Sequence, residues 1–292
     1  MLDAAFFEKL SALRLKMGHK SSMNLSGNRK SVQKGSSMEF SDFREYMPGD
    51  DIRRIDWNAY GRLDRFYIKE YMEEKEAVIT ILLDTSESMN YGIAKKSHLA
   101  CKLAAAFGYM GLNNLDRVII YDMQHMESPF ISSSGKRAIV GLADWLKKCS
   151  FEGSVNILDT IKMLPAKGPG VTIIISDFLQ EDFLDEKKEI VGQILRFLAY
   201  KRQKAVFLQV MAKEELEVDF TGTHNLIDME EKSTLRVTLN DKSIRTYEAA
   251  LQVFLNSLQR ECARYGATYA LCNTKQDFYE LIFKDLRLLY DI

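Results

Sequence analysis

The sequence predicts an α/β domain: a mostly parallel, doubly wound sheet with helices on both faces. Three observations carry that reading. The apolar runs VITILLD (78–84), DRVIIYD (116–122), VTIIISD (171–177) and KAVFLQV (204–210) lack the in-out alternation of a half-solvated strand, as strands covered on both faces do. Stretches of helical periodicity separate them. Three of the runs stop at an aspartate, which sets acidic groups along one edge of the sheet.

Taken in order, residues 1–20 form a short amphipathic helix, with Phe6, Phe7, Leu10, Leu13 and Met17 as its packing stripe. Asp3 and Glu8 interrupt its apolar character, so it lacks the long run of a signal or membrane segment. Residues 21–38, rich in Ser, Gly, Asn and Lys, are a flexible connector. Residues 39–76 mix Phe40, Phe43, Tyr46 and Trp57 with dense charge. Aromatics in such numbers imply an ordered strap lying across the main domain, turned at Pro48-Gly49-Asp50 and closing with an edge strand over 65–72.

The α/β domain occupies residues 77–292. Its helices are read over 94–114, 136–148, 156–163, 184–199, 247–265 and 277–289, the third capped by Ser154 or Asn156. Residues 266–271 give a last strand, and 217–244 a β-rich insertion of short strands and polar turns, a hairpin at one sheet edge.

Composition excludes several functions. Lys and Arg total 40 against 41 Asp and Glu, a balance that asks for neither nucleic acid nor an anionic membrane. The four cysteines stand far apart with no CxxC pair, which reads as buried thiols in a reducing compartment and a cytoplasmic location. The four histidines share no metal-ligand spacing. Neither GxxxxGK[ST] nor GxGxxG occurs, so ATP hydrolysis by this chain is not expected.

Chemistry concentrates at ILLDTSESM (81–89). In an open α/β sheet, ligands sit beyond the carboxyl ends of the strands, where Asp84 and Asp177 both fall. Two carboxylates at one edge repel unless a positive group stands between them. Ser86 and Ser88 add neutral oxygens, and such a hard-oxygen set suits Mg²⁺ or Mn²⁺. The same residues allow a plainer role, capping local backbone amides with no metal bound. Asp122 either supports the site from behind or forms a turn. Met123, Met126 and Phe130 make either a soft exposed patch beside it or a loop folded on itself.

Asp84, Ser86 and Ser88, followed at a distance by Asp177, resemble the metal-ion-dependent adhesion site of von Willebrand factor type A domains. That pattern is Asp-x-Ser-x-Ser, a distant Thr, then a distant Asp. Its threonine position falls in EGSVNIL (152–158), where Ser154 would carry the hydroxyl. The resemblance implies a type A-like fold and a cation whose coordination a partner's carboxylate completes. The strap adds a second likeness, carried by Glu39, Phe40, Arg44, Tyr46, Gly49, Asp50, Asp51, Arg53, Ile55, Asp56 and Trp57, with Gly61-Arg62 where many members have Ala-Arg. Together these segments resemble the bacterial domain-of-unknown-function family 58. That likeness implies an adaptor or co-chaperone-like partner of a MoxR-type AAA+ ATPase, docking an acidic residue of the ATPase or its client, with no established catalytic activity. A metal-dependent hydrolase and a scaffold whose site holds no metal are the alternatives. Arg44, Asp50, Asp51, Arg53, Arg54 and Asp56 read as an ion-pair lattice, with contact of Arg53 or Arg54 to a partner or a nucleotide phosphate as the second possibility, and Arg44, Tyr46, Asp50, Asp51, Arg53, Asp56, Trp57 and Arg62 make the strap a possible interface. Should the Trp57 indole be a buried anchor, truncating it costs about 3–5 kcal/mol.

Overall fold

The computed structural model describes residues 4–11, 14–15, 38–73, 77–132, 136–165, 168–184, 189–219, 221–227 and 234–291. They divide into two units, one of residues 1–19 and 77–292 and one of residues 20–76.

Helix α1 (Ala4–Leu10) buries Phe6 and Leu10 against the core of the larger unit. It stops at Leu10, well short of residue 20, because the chain then extends into β1 (Arg14–Leu15), which pairs antiparallel with Tyr290–Asp291. Leu13 and Met17 lie outside the described residues, as does the expected connector apart from Met38.

The smaller unit consists of β2 (Met38–Glu45), α2 (Trp57–Leu63) and β3 (Tyr67–Glu73). β3 pairs antiparallel with β2 in a sheet of their own, so it is not an edge strand of the main sheet. The charged residues between them act locally. Arg44 grips Asp50 with two nitrogens at 2.9 and 3.0 Å, and the Met47 amide donates to the same carboxylate at 2.9 Å. These bonds, the Arg44 fork foremost, hold the Asp50 carboxyl below its usual range and pin the turn in which Gly49 takes φ +110°. Asp51 accepts from the Arg53 amide at 3.1 Å and starts a single 3₁₀ turn. Asp56 caps α2, accepting from Asn58 N at 2.9 Å and Ala59 N at 3.3 Å. Tyr60 stacks on Phe66 with centroids 4.5 Å apart, and Trp57 and Tyr46 meet Phe66 edge-on at 6.3 Å. Trp57 is 63% exposed, so it is not the buried anchor on which the large truncation cost depended.

In the larger unit the chain continues through β4 (Val78–Leu83), α3 (Lys96–Asn113), β5 (Arg117–Asp122), β6 (Phe130–Ser132), α4 (Lys136–Leu146), α5 (Ile157–Met163) and β7 (Gly170–Ser176). Then follow α6 (Glu181–Leu184), α7 (Ile190–Tyr200), β8 (Gln203–Met211), α8 (Lys213–Leu216), β9 (Gly222–Ile227), β10 (Thr234–Leu239), α9 (Asp241–Arg264), β11 (Thr268–Asn273), α10 (Phe278–Glu280) and β12 (Tyr290–Asp291). Six strands form one sheet in the order β11-β8-β7-β4-β5-β6, parallel throughout except for β6.

Both faces of β4 are apolar because both are covered. Ile79, Ile81 and Leu83 pack with Leu103 and Phe107 of α3, while Val78 and Leu82 face Ile194 and Leu198 of α7. The hairpin β9–β10 forms a separate two-stranded sheet; of the segment read as a first strand over 216–220, Leu216 ends the short helix α8, 217–219 form no strand, and Phe220 lies outside the described residues. The closing helix shortens to α10, then widens into a π turn over Leu281–Asp285. The Leu286 amide bonds the Leu281 carbonyl at 3.0 Å, a five-residue spacing that turns both buried leucines inward. Met123 is buried, the half-buried Met126 packs against the same core, and the half-buried Phe130 packs beside Trp145, so these residues line the core and make no exposed patch.

The β4–β7 register depends on Gly170, where a Cβ would stand 2.0 Å from the Val78 carbonyl oxygen. Gly170→Ala is expected to destabilise the protein by about 1–3 kcal/mol, measured by urea denaturation, because the clash is with backbone and cannot be relieved by a rotamer change. An unchanged midpoint would show that the two strands can part here at no cost.

Candidate acid cluster at the strand ends

From β4 the sheet grows one way through β5 and β6 and the other way through β7, β8 and β11. The β4–β7 boundary is therefore the point where strand order reverses, and the crevice beyond it is the natural ligand position of such a sheet. Parallel pairing aligns Leu83 with Ile175, and the Asp84 amide continues the ladder by bonding the Ile175 carbonyl at 2.9 Å. Asp84 thus comes to lie beside Ser176, and Asp177 follows one residue on.

Each side chain is held by short local bonds. Asp84 accepts from the Ser86 amide at 2.9 Å and from the Ser176 hydroxyl at 2.5 Å. The Ser86 and Ser88 hydroxyls are 3.0 Å apart, and Ser88 donates to Asp177 Oδ2 at 3.1 Å. Leu179 N donates to the other Asp177 oxygen at 3.1 Å. Phe178 between them sits at φ +56°, a left-handed backbone that costs a bulky L-residue about 1–3 kcal/mol. Its amide donates to Ser176 Oγ at 3.0 Å, and its buried ring packs 5.3 Å from that of Phe207. Behind the cluster, buried Gln209 donates to the Asp177 carbonyl at 2.7 Å and accepts from the Tyr269 hydroxyl at 2.7 Å.

Burial and the neighbouring charge of Asp177 push the Asp84 carboxyl up to about 6, against the downward pull of its bonds from Ser176 and Ser86. The compensating positive charge comes from Lys96, a residue that pattern reading passed over. Its ammonium lies 2.7 Å from Asp177 Oδ2 and 2.6 Å from Glu215 Oε1, and the residue is only 1% exposed. Burial works against the charged amine, yet the charges of Asp177 and Glu215 outweigh it and hold Lys96 above its usual range. Burial raises Glu215, with Lys96 pulling it the other way. The second Glu215 oxygen accepts from Ala212 N at 2.7 Å. Next to it, Glu214 Oε2 is buried with no hydrogen-bond partner among the described residues. One sequence signal does point to Lys96. It opens α3 directly after Lys95, where the helix dipole disfavours cations, and no acidic residue occupies that first turn.

Four of the five expected cation ligands, Asp84, Ser86, Ser88 and Asp177, are brought together. Ser154 is placed nearby, since its loop is tied to the site by Glu152 N to Thr85 O at 3.0 Å and Glu87 N to Gly153 O at 2.9 Å. It is exposed and bonds none of the four among the described contacts. Asp122 accepts from the Thr85 hydroxyl and from Gln124 N, so it both braces the site loop and forms a turn. Arg44, Tyr46, Asp50, Asp51, Arg53, Asp56, Trp57 and Arg62 all belong to the smaller unit.

Two carboxylates and two hydroxyls are a donor set that a hard divalent cation accepts. No group of three or more His, Cys, Asp or Glu side chains arranged for a metal occurs among the described residues, so a cation here needs the serine hydroxyls. Of these four, Asp177 is the one whose oxygen holds the Lys96 ammonium, which Glu215 shares from the other side.

A family model described as "Protein of unknown function DUF58" matches residues 42–253. The chain is 26% identical over 189 residues to the uncharacterized protein Rv1480 of Mycobacterium tuberculosis, and equally so to the uncharacterized protein Mb1516 of Mycobacterium bovis. Each match covers 61% of this chain and 58% of the relative, so the chain spans less than two thirds of the curated relatives it matches. Among solved structures it is similar to the conserved hypothetical protein BatB from Bacteroides thetaiotaomicron, at 16% identity and a TM-score of 0.39 over 71% of this chain and 98% of that one. It is also similar to an aerotolerance-related membrane protein from Bacteroides fragilis, at 13% identity and 0.40 over 73% and 99%.

Asp84 yields a pH signature. Its folded value of about 6 lies above the ordinary carboxylate value, so the stability it confers is full in acid and is lost as pH rises through 6. In chelator, wild-type protein is expected to lose about 1–3 kcal/mol from this group between pH 4 and 7.5. Asp84→Asn, whose amide can donate to Ser176, is expected to flatten that part of the profile in urea melts. Parallel profiles for the two proteins would overturn the assignment.

Proposed function

Since this chain belongs to the DUF58 family of proteins of unknown function, we propose that it is a divalent-cation-dependent protein-binding module with a von Willebrand factor type A-like core. One observation carries the reading. Ser86, Ser88 and Asp177 are linked oxygen to oxygen, and Asp84 accepts from the Ser86 amide, where the strand order reverses. Mg²⁺ or Mn²⁺ would be held by the Ser86 and Ser88 hydroxyls together with the two carboxylates. The cation supplies a hard positive charge to which an acidic side chain of another protein can bind.

The cluster is built to hold charge. Ser88 gives its proton to a carboxylate already tied to an ammonium, which leaves Asp177 poorly disposed to activate that hydroxyl as a nucleophile. Binding is therefore favoured over hydrolysis. The family likeness supplies the partner, a MoxR-type AAA+ ATPase or its client, and the scattered, unpaired cysteines favour a cytoplasmic place of action. Among the described residues no helix is long and apolar enough to cross a membrane.

Calorimetric titration with Mg²⁺ and with Mn²⁺ is expected to give saturable heats that drop sharply in Asp84→Ala; equal heats for the two proteins would overturn the reading. Immobilised wild-type protein is expected to retain a purified MoxR-type ATPase in Mg²⁺ and to release it into chelator.

A further inference from the structure

Lys96 does more than balance charge. We propose that it is a tethered cation that takes the divalent ion's place when the site is empty, and that entry of the ion shifts its ammonium from Asp177 onto Glu215 alone. The inference rests on reading the cluster as a cation site. A single atom, Asp177 Oδ2, receives both the Lys96 ammonium at 2.7 Å and the Ser88 hydroxyl at 3.1 Å, so an ion bound by Ser88 and Asp177 must compete with the lysine. The second seat is already in contact, with Glu215 Oε1 2.6 Å from the same nitrogen. Glu215 itself is fixed, because Ala212 N holds its other oxygen and the Tyr247 hydroxyl donates to its backbone carbonyl at 2.9 Å.

Burial makes that second seat necessary. An ammonium 1% exposed cannot turn to water when displaced, and an unpaired buried charge is among the costliest defects a fold can carry. Charge count points the same way. Asp84, Asp177 and Glu215 carry three negative charges when ionised, and Lys96 returns one, leaving a surplus that matches one divalent ion. The ring of Tyr91, 5.9 Å from the nitrogen, lines the same side. Lys96 therefore sets a threshold. The donor set binds its ion less tightly than it would alone, and the site loads when cation concentration, or a partner's carboxylate, tips the competition.

The test uses the full chain and Mn²⁺ alone, with unbound Mn²⁺ read by electron paramagnetic resonance. Lys96→Met is expected to tighten Mn²⁺ binding by about tenfold or more, since the competitor is gone. Glu215→Gln is expected to weaken it by a similar factor, because the displaced ammonium loses its seat. The double variant Lys96→Met/Glu215→Gln is expected to bind tightly again, and it keeps the test open if Lys96→Met does not fold. Equal affinity in wild-type protein, Lys96→Met and the double variant would overturn the tethered-cation proposal while leaving the cation site in place. Absence of Mn²⁺ binding in every variant would remove the cation site itself.

Discussion

Two carboxylates buried side by side at the end of a parallel ladder are an unstable arrangement in isolation, and much of the larger unit can be understood as making it tolerable. The β4–β7 pairing brings Asp84 and Asp177 to adjacent strand ends. The ammonium of Lys96, delivered by the first turn of α3, bridges one of them to Glu215 on α8. Three crossovers of the fold thus meet in one charge network. Removing one member of such a network leaves its partners buried and unpaired, which costs more than the pair itself contributes. The left-handed backbone at Phe178 belongs to the same solution: it ends β7 abruptly enough for Asp177 to face Ser88 while the aromatic ring stays in the core.

Strands and their polar ends were legible in the sequence because two-sided burial writes itself as continuous apolar runs. Asp84 and Asp177 could be placed at one edge from that pattern alone, with Ser86 and Ser88 beside them. Lys96 was not, because two lysines at a helix start read locally as solvated charge, and only the return of the chain through α8 brings Glu215 to meet them. The partner of β3 was equally invisible, since an alternating strand carries no label for the sheet it joins. The π turn at Leu281–Asp285 arises from two leucines five apart that both demand burial, a conflict that helical periodicity does not register.

Trp57 shows how composition misleads at short range. Aromatics packed into a charged segment look like core anchors, yet here they mostly serve one another. Tyr60 stacks flat on Phe66, Trp57 and Tyr46 approach that ring edge-on, and the Arg44–Asp50 fork and the Asp56 cap fix the backbone around them. The smaller unit is thus organised by local pairs and caps, whereas the larger one is organised by a sheet buried on both sides.

The pairing of β1 with β12 joins residues near the two ends of the larger unit, and residues 20–76, the other unit, fall between its two segments in sequence. In sequence the smaller unit is therefore an insertion, joined covalently to the larger one at both of its borders. One proteolytic nick within it would not release it, and its attachment survives any single scission that spares the fold on either side.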